Sequence, residues 1–184
     1  MAPQIFRAWI PLIFLSFALA LTACASVRLV PAYDEQIDVG LTSLYGDTTA
    51  FVDKMTALAG TPEGDFAHNR EFYDDAFSRV EALSARAEAH RVLNDCPSSK
   101  VVEKALSSSR IPAEVRGTIG TLPKDDCQVV LMRLIRTGFD QMKEFHEAQG
   151  DRGIPPSARG PLLEGGVGAL LRAGITVEIA KRAQ

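Results

Sequence analysis

DEQIDVGLTSLYGDTTAFVDKMTALAG, residues 34–60, decides the fold class. Ile37, Leu41, Leu44, Thr48, Phe51, Met55 and Leu58 follow one another at alternating steps of four and three, with mostly polar residues between them. That spacing places all seven on one face of an α-helix, whereas a half-buried strand would alternate every second residue. Asp34 stands where a carboxylate caps the first free N–H groups, and Gly60 where a helix stops in left-handed geometry.

Three more segments repeat the pattern. Tyr73, Ala76, Val80, Leu83, Ala87 and His90 form a second stripe within about residues 65–94, widened by Phe72 and Phe77. Leu131, Ile135, Gly138, Met142 and Phe145 form a third, flanked by Val130 and Leu134. Pro123 sits where a first-turn proline is tolerated, and Asp125 and Asp126 suit the positive end of that helix. Leu163, Val167, Leu170, Gly174 and Val177 form the fourth, after Pro155, Pro156 and Pro161. The expected fold is therefore all-α, an antiparallel four-helix bundle. Residues 60–64 and 150–160 are short connections. Residues 95–122 form a long one between helices 2 and 3, with a short extra helix expected at about 98–108.

Outside the bundle, the chain opens differently. Arg7 is followed by a largely apolar run from Ala8 to Ala23, broken by Pro11, Ser16 and Thr22. Sixteen helical residues span roughly 24 Å, short of the ~30 Å hydrocarbon core of a bilayer. A short apolar core behind a basic start is the pattern of a secretory signal. The run ends in Leu21-Thr22-Ala23-Cys24. This tetrapeptide resembles the lipobox of bacterial lipoproteins. The resemblance implies diacylglycerol on the Cys24 thiol, cleavage before Cys24 and acylation of the new amino group. In that family an Asp after the lipidated Cys retains the protein at the inner membrane. Ala25 stands there instead, which implies the inner leaflet of the outer membrane if the source is a diderm bacterium.

The expected division is a signal peptide at 1–23, a lipidated N-terminus and tether at 24–33, and a bundle domain at 34–184. Nine extended residues, 25–33, reach at most roughly 30 Å, so the domain is expected close to the membrane. Removing residues 1–23 from the 184-residue chain leaves 161 residues. It also removes Arg7 and the single tryptophan, Trp9, leaving 19 basic residues against 23 acidic ones. No basic stripe interleaved with aromatic residues occurs, so nucleic acid is not an expected partner.

Cys96 lies just past the second helix and Cys127 in the first turn of the third, two ends that adjoin in an antiparallel bundle. A Cys96–Cys127 disulfide is therefore expected, since an oxidising envelope lets it persist. The alternatives are two free thiols or a metal pair, for which no histidine lies nearby in sequence.

Catalytic constellations are hard to find. Glu164-Gly165-Gly166-Val167-Gly168 lacks the spacing and preceding strand of a dinucleotide motif. Each mid-helix glycine costs about 1 kcal/mol against alanine. Gly165, Gly166, Gly168 and Gly174 therefore point to close approach of the fourth helix to a neighbour, the alternative being a groove that a partner helix from another protein fits. Ser107, Ser108 and Ser109 carry no nucleophile motif, and Asp74-Asp75 reads as a solvated face. His90 falls on the inward stripe. His68 and His146 fall at helix ends that share one end of the bundle, beside Glu71, Glu144 and Glu147. Solvated helix ends are the plain reading of these two histidines, and a weak metal site the other. The expectation is a non-enzymatic envelope lipoprotein without cofactor beyond its covalent lipid, binding the membrane through Cys24 and an envelope protein through the bundle. The alternative is a small-ligand or metal carrier using the bundle interior or the ends near His68 and His146.

Overall fold

A computed structural model describes residues 33–93 and 127–182, without the side chains of 90–93 and 127. Four long helices account for most of it: α1 (Glu35–Ala57), α2 (Phe66–Leu93), α3 (Cys127–Gln149) and α4 (Val167–Arg182). No strand occurs among the described residues. The short extra helix expected at 98–108 lies outside them.

α1 begins where its cap predicts. The Asp34 carboxylate accepts from the N–H groups of Gln36 at 2.9 Å and Ile37 at 3.3 Å. Gly60, at φ 81°, turns the chain after α1, and its N–H donates to the Arg152 carbonyl at 2.9 Å. A 3-10 turn, Pro62–Gly64, then leads to Asp65, which caps α2 by accepting the His68 N–H at 2.8 Å.

Contacts across the seams fix the topology. Arg133 meets Glu88, Arg136 meets Glu81, and His146 meets Tyr73, so α3 runs antiparallel to α2. Arg79 of α2 reaches Asp47 and Ser43 of α1 at 2.7 and 2.9 Å, while Arg86 reaches Asp34. Asp34 also meets Glu178, and Tyr45 meets Arg172, so α4 is antiparallel to α1. The result is an up-down-up-down bundle in which each helix packs on its two sequence neighbours and α4 closes against α1. The start of α3 lies at the same end as the end of α2.

The inward stripes supply the core. Ile37, Leu41, Leu44, Met55, Tyr73, Ile135, Phe139 and Leu171 are completely removed from water. Each large apolar side chain so buried contributes about 1.5–3 kcal/mol. Thr48 is buried too, its hydroxyl donating to the Leu44 carbonyl at 2.6 Å. The third stripe is wider than its spacing indicates, because Met132, Phe139 and His146 are buried while Phe145 is only partly covered.

The fourth helix differs from the expectation. Pro156–Ala158 is a 3-10 turn, Pro161–Gly165 is a π-helical turn, and Gly166 leaves helical geometry before α4 starts at Val167. Leu163 therefore belongs to the π-turn, and Arg172 donates to its carbonyl at 2.8 Å. Gly166 and Gly168 lie against carbonyls of this turn rather than against another helix. Gly174 does mark close approach: a Cβ there would lie 2.8 Å from a Leu41 methyl.

Candidate functional site

Two buried polar clusters close the bundle, one at each end. The first gathers where α1 and α3 start and α2 and α4 finish. Glu178 is its centre, accepting from Lys181 Nζ at 2.7 Å, from the Gln128 side-chain amide, and from the Asp34 N–H at 3.3 Å. The side chains of Glu178 and Lys181 are each 1% exposed. Asp34 in turn receives Arg86 from α2. All four helices are thus joined through two carboxylates. Burial pushes the Glu178 carboxyl above its ordinary range, against the attraction of Lys181.

The second cluster lies at the opposite end. His146 of α3 is 0% exposed, among the rings of Phe51, Phe66 and Tyr73. Its Nε2 lies 2.9 Å from the Gly64 carbonyl and its Nδ1 2.9 Å from the Tyr73 hydroxyl. A carbonyl accepts only, so the proton sits on Nε2, and Nδ1 accepts from the Tyr73 O–H. The ring is neutral in this arrangement. Burial holds its pKa below the usual imidazole value, opposed by the Gly64 carbonyl and the charge of Asp65. Burial likewise pushes the Tyr73 phenol up.

The sequence-predicted residues fall as follows. His68 and His146 share one end of the bundle, yet they differ in kind. His68 is exposed and its Nδ1 contacts Asp65 at 2.7 Å, whereas His146 is the reverse of a solvated helix end. Asp65 is held below the usual carboxylate range, first by the His68 N–H and then by the His68 ring. Glu71, Glu144 and Glu147 are exposed. Both ring nitrogens of His146 are committed within the protein, and no group of three or more metal-ligating side chains occurs among the described residues. Asp74 pairs with Arg70 and Asp75 with Arg79, as a solvated face does. Cys127 opens α3. Cys24, Cys96 and the serines at 107–109 lie outside the described residues, as does the His90 side chain.

Spacing alone did not single out the cluster around Glu178. The signal is present: the steps Leu170, Gly174, Glu178, Lys181 continue the inward stripe of α4. Their charge argues for solvent, and their register argues for the core. In the structure register wins, because donors from three helices meet the carboxylate. One open hollow of about 390 Å³, lined by Phe145, Pro155, Pro161 and Leu162 among others, adds no charged side chain to either cluster.

These features define a class by architecture: a four-helix up-and-down bundle locked by a buried polar cluster at each end. Comparison with protein-family models, with curated proteins and with solved structures finds no match to this chain.

Proposed function

We propose that this protein is a lipid-anchored component of the bacterial cell envelope, held to the membrane through Cys24, whose helical bundle serves as a non-enzymatic interaction or accessory module. The observation that carries this reading is Leu21-Thr22-Ala23-Cys24 at the end of a short apolar run. The position of Asp34 supports it. The chain caps its first bundle helix ten residues after Cys24, so anchor and bundle are separated by a tether of roughly 30 Å at full extension. The end bearing Glu178 and Arg86 then faces the membrane, and the end bearing His146 faces away. No helix among the described residues is long and apolar enough to cross a membrane. Two or three acyl chains on one residue anchor stably where a single chain does not. A disulfide between Cys96 and Cys127 belongs to the same proposal, because envelope compartments outside the cytoplasm are oxidising.

Metabolic labelling with a clickable fatty acid tests the anchor. Wild-type protein takes up label and fractionates with membranes, and Cys24→Ala abolishes both labelling and cleavage. Labelling that persists in Cys24→Ala contradicts the proposal. Crosslinking in the native cell tests the interaction role, with a reproducible envelope partner expected and none found counting against it.

A further inference from the structure

We propose that His146 is an acid-sensitive latch: its neutral ring holds the two turns at the end of the bundle remote from Asp34 together, and its protonation lets that end open. Three contacts interlock these turns. The Gly60 N–H donates to the Arg152 carbonyl at 2.9 Å. Gly153, at φ 60°, lies so close to Gly64 that a Cβ there would stand 2.5 Å from the Gly64 carbonyl oxygen. That same oxygen accepts the His146 Nε2–H at 2.9 Å. The α1–α2 turn, the α3–α4 turn and the last helical turn of α3 therefore meet at one carbonyl, and His146 is the titratable group bonded to it.

A second proton on the ring undoes this arrangement. It would arrive on Nδ1, which now accepts the Tyr73 hydroxyl. Nδ1–H would then have to donate to the Tyr73 oxygen, turning the phenolic hydrogen away from its acceptor. Tyr73 is 0% exposed and lies among Phe51, Phe66 and Phe72, so this hydrogen would turn toward aromatic rings rather than toward bulk solvent. The new positive charge would sit in the same ring cage. A buried charge or an orphaned buried donor is costly unless paired. The titratable groups around the ring are Asp65 from the turn, Tyr73 from α2, and His68, which already holds the Asp65 carboxylate. From α1 the ring meets Phe51, and beside it on α3 Lys143 lies over the Phe66 ring, adding a second cation rather than an acceptor. Asp65 supplies an opposing charge acting on the ring and is shared with His68, while Glu63, next to Gly64 on the same turn, interacts with His68 and Asp65. Protonation is therefore relieved by withdrawing the ring to solvent, which releases Gly64 and exposes the aromatic cage.

The test uses the full-length protein in detergent micelles, followed by NMR of the imidazole Cε1–H resonances and by amide hydrogen exchange corrected for the intrinsic pH dependence. The His146 resonance is identified by its loss in His146→Gln. It should titrate with a midpoint below the ordinary ~6.5. Over the same range, protection in residues 58–66 and 142–153 should fall. The fall approaches about tenfold per pH unit, as expected for opening coupled to one proton. His146→Gln, whose amide can donate to Gly64 and accept from Tyr73 without titrating, should lose that dependence. Tyr73→Phe should move the midpoint upward, because the neutral ring loses the donor that favours it. Protection that stays flat as His146 titrates overturns the proposal. So does a ring that stays neutral with both turns closed down to about pH 4.5, some two units below the ordinary value. An equal dependence in wild type and His146→Gln overturns it as well. If His146→Gln does not fold, coincidence of the wild-type midpoint with the loss of protection, and the upward move in Tyr73→Phe, still decide.

Discussion

Replacing Glu178 by alanine should be among the most damaging single changes to the bundle, although it removes a charged residue. The carboxylate accepts from Lys181, Gln128 and the Asp34 N–H, and both ion-pair side chains are almost completely buried. In Glu178→Ala the Lys181 ammonium loses that partner, and two further donors lose their acceptor. Breaking a buried pair costs about 3–5 kcal/mol, most of it the cost of leaving the surviving charge out of water. Against a total stability of about 5–15 kcal/mol that is a large fraction. For a domain of this size it corresponds to a fall in Tm of roughly 6–20 °C. The double variant Glu178→Gln with Lys181→Met separates charge from shape. Glutamine keeps one carbonyl oxygen, for the Gln128 amide that meets Oε1, while the position of Oε2, which meets the Asp34 N–H, becomes an amide nitrogen; methionine keeps much of the lysine stem. The double variant should recover part of the stability lost in Glu178→Ala, since removing both charges together leaves no buried ammonium without its carboxylate. Urea unfolding of the full-length protein in micelles, followed by far-ultraviolet circular dichroism, reads all three proteins. A single variant within about 1 kcal/mol of wild type, or a double variant as unstable as the single, would show that the unpaired ammonium is not what destabilises the bundle.

Four further outcomes can be measured, three from the described geometry and one from the proposed disulfide. Gly46→Ala meets nothing within 4 Å of the new Cβ and lies in α1, so it should stabilise by about 0.5–1 kcal/mol in the same denaturation assay. Gly174→Leu instead drives a side chain into Leu41, Ile135 and Leu131 and should destabilise by about 1–3 kcal/mol. His146, with its folded pKa depressed, makes the unfolded chain bind more protons, so its contribution is fully present above about pH 6.5 and is lost as pH falls toward the folded value; denaturation across that window should show a slope that His146→Gln lacks. Thiol counting under denaturing conditions should find Cys96 and Cys127 blocked until reductant is added, and reduction should cost roughly 3–4 kcal/mol of stability for a loop of about 32 residues.

Sequence periodicity was a good guide where side-chain polarity and register agreed. The stripe from Ile37 to Met55, the Asp34 cap and the turn at Gly60 all stand as their spacing implies. It misled where the two disagreed. His146 has the chemistry of a surface residue and the register of a core residue, four positions beyond Met142 and seven beyond Phe139. Its burial depends on partners 73 and 82 residues away in sequence, Tyr73 and Gly64, which no local pattern announces. Glu178 and Lys181 are the same case on α4. The π-turn was illegible for another reason: its glycines read as a helix seam, while in the structure Gly166 and Gly168 fit against the carbonyls of a turn that Arg172 helps to satisfy.

Under the proposal, Cys24 is both the first residue of the mature chain and the site of its lipid. Mass spectrometry of the protein purified from membranes of its native cell tests it most directly. The N-terminal peptide should begin at Cys24 and bear a thioether-linked diacylglycerol, with no peptide from residues 1–23. A mature N-terminus at another residue, or an unmodified Cys24 thiol, would contradict it.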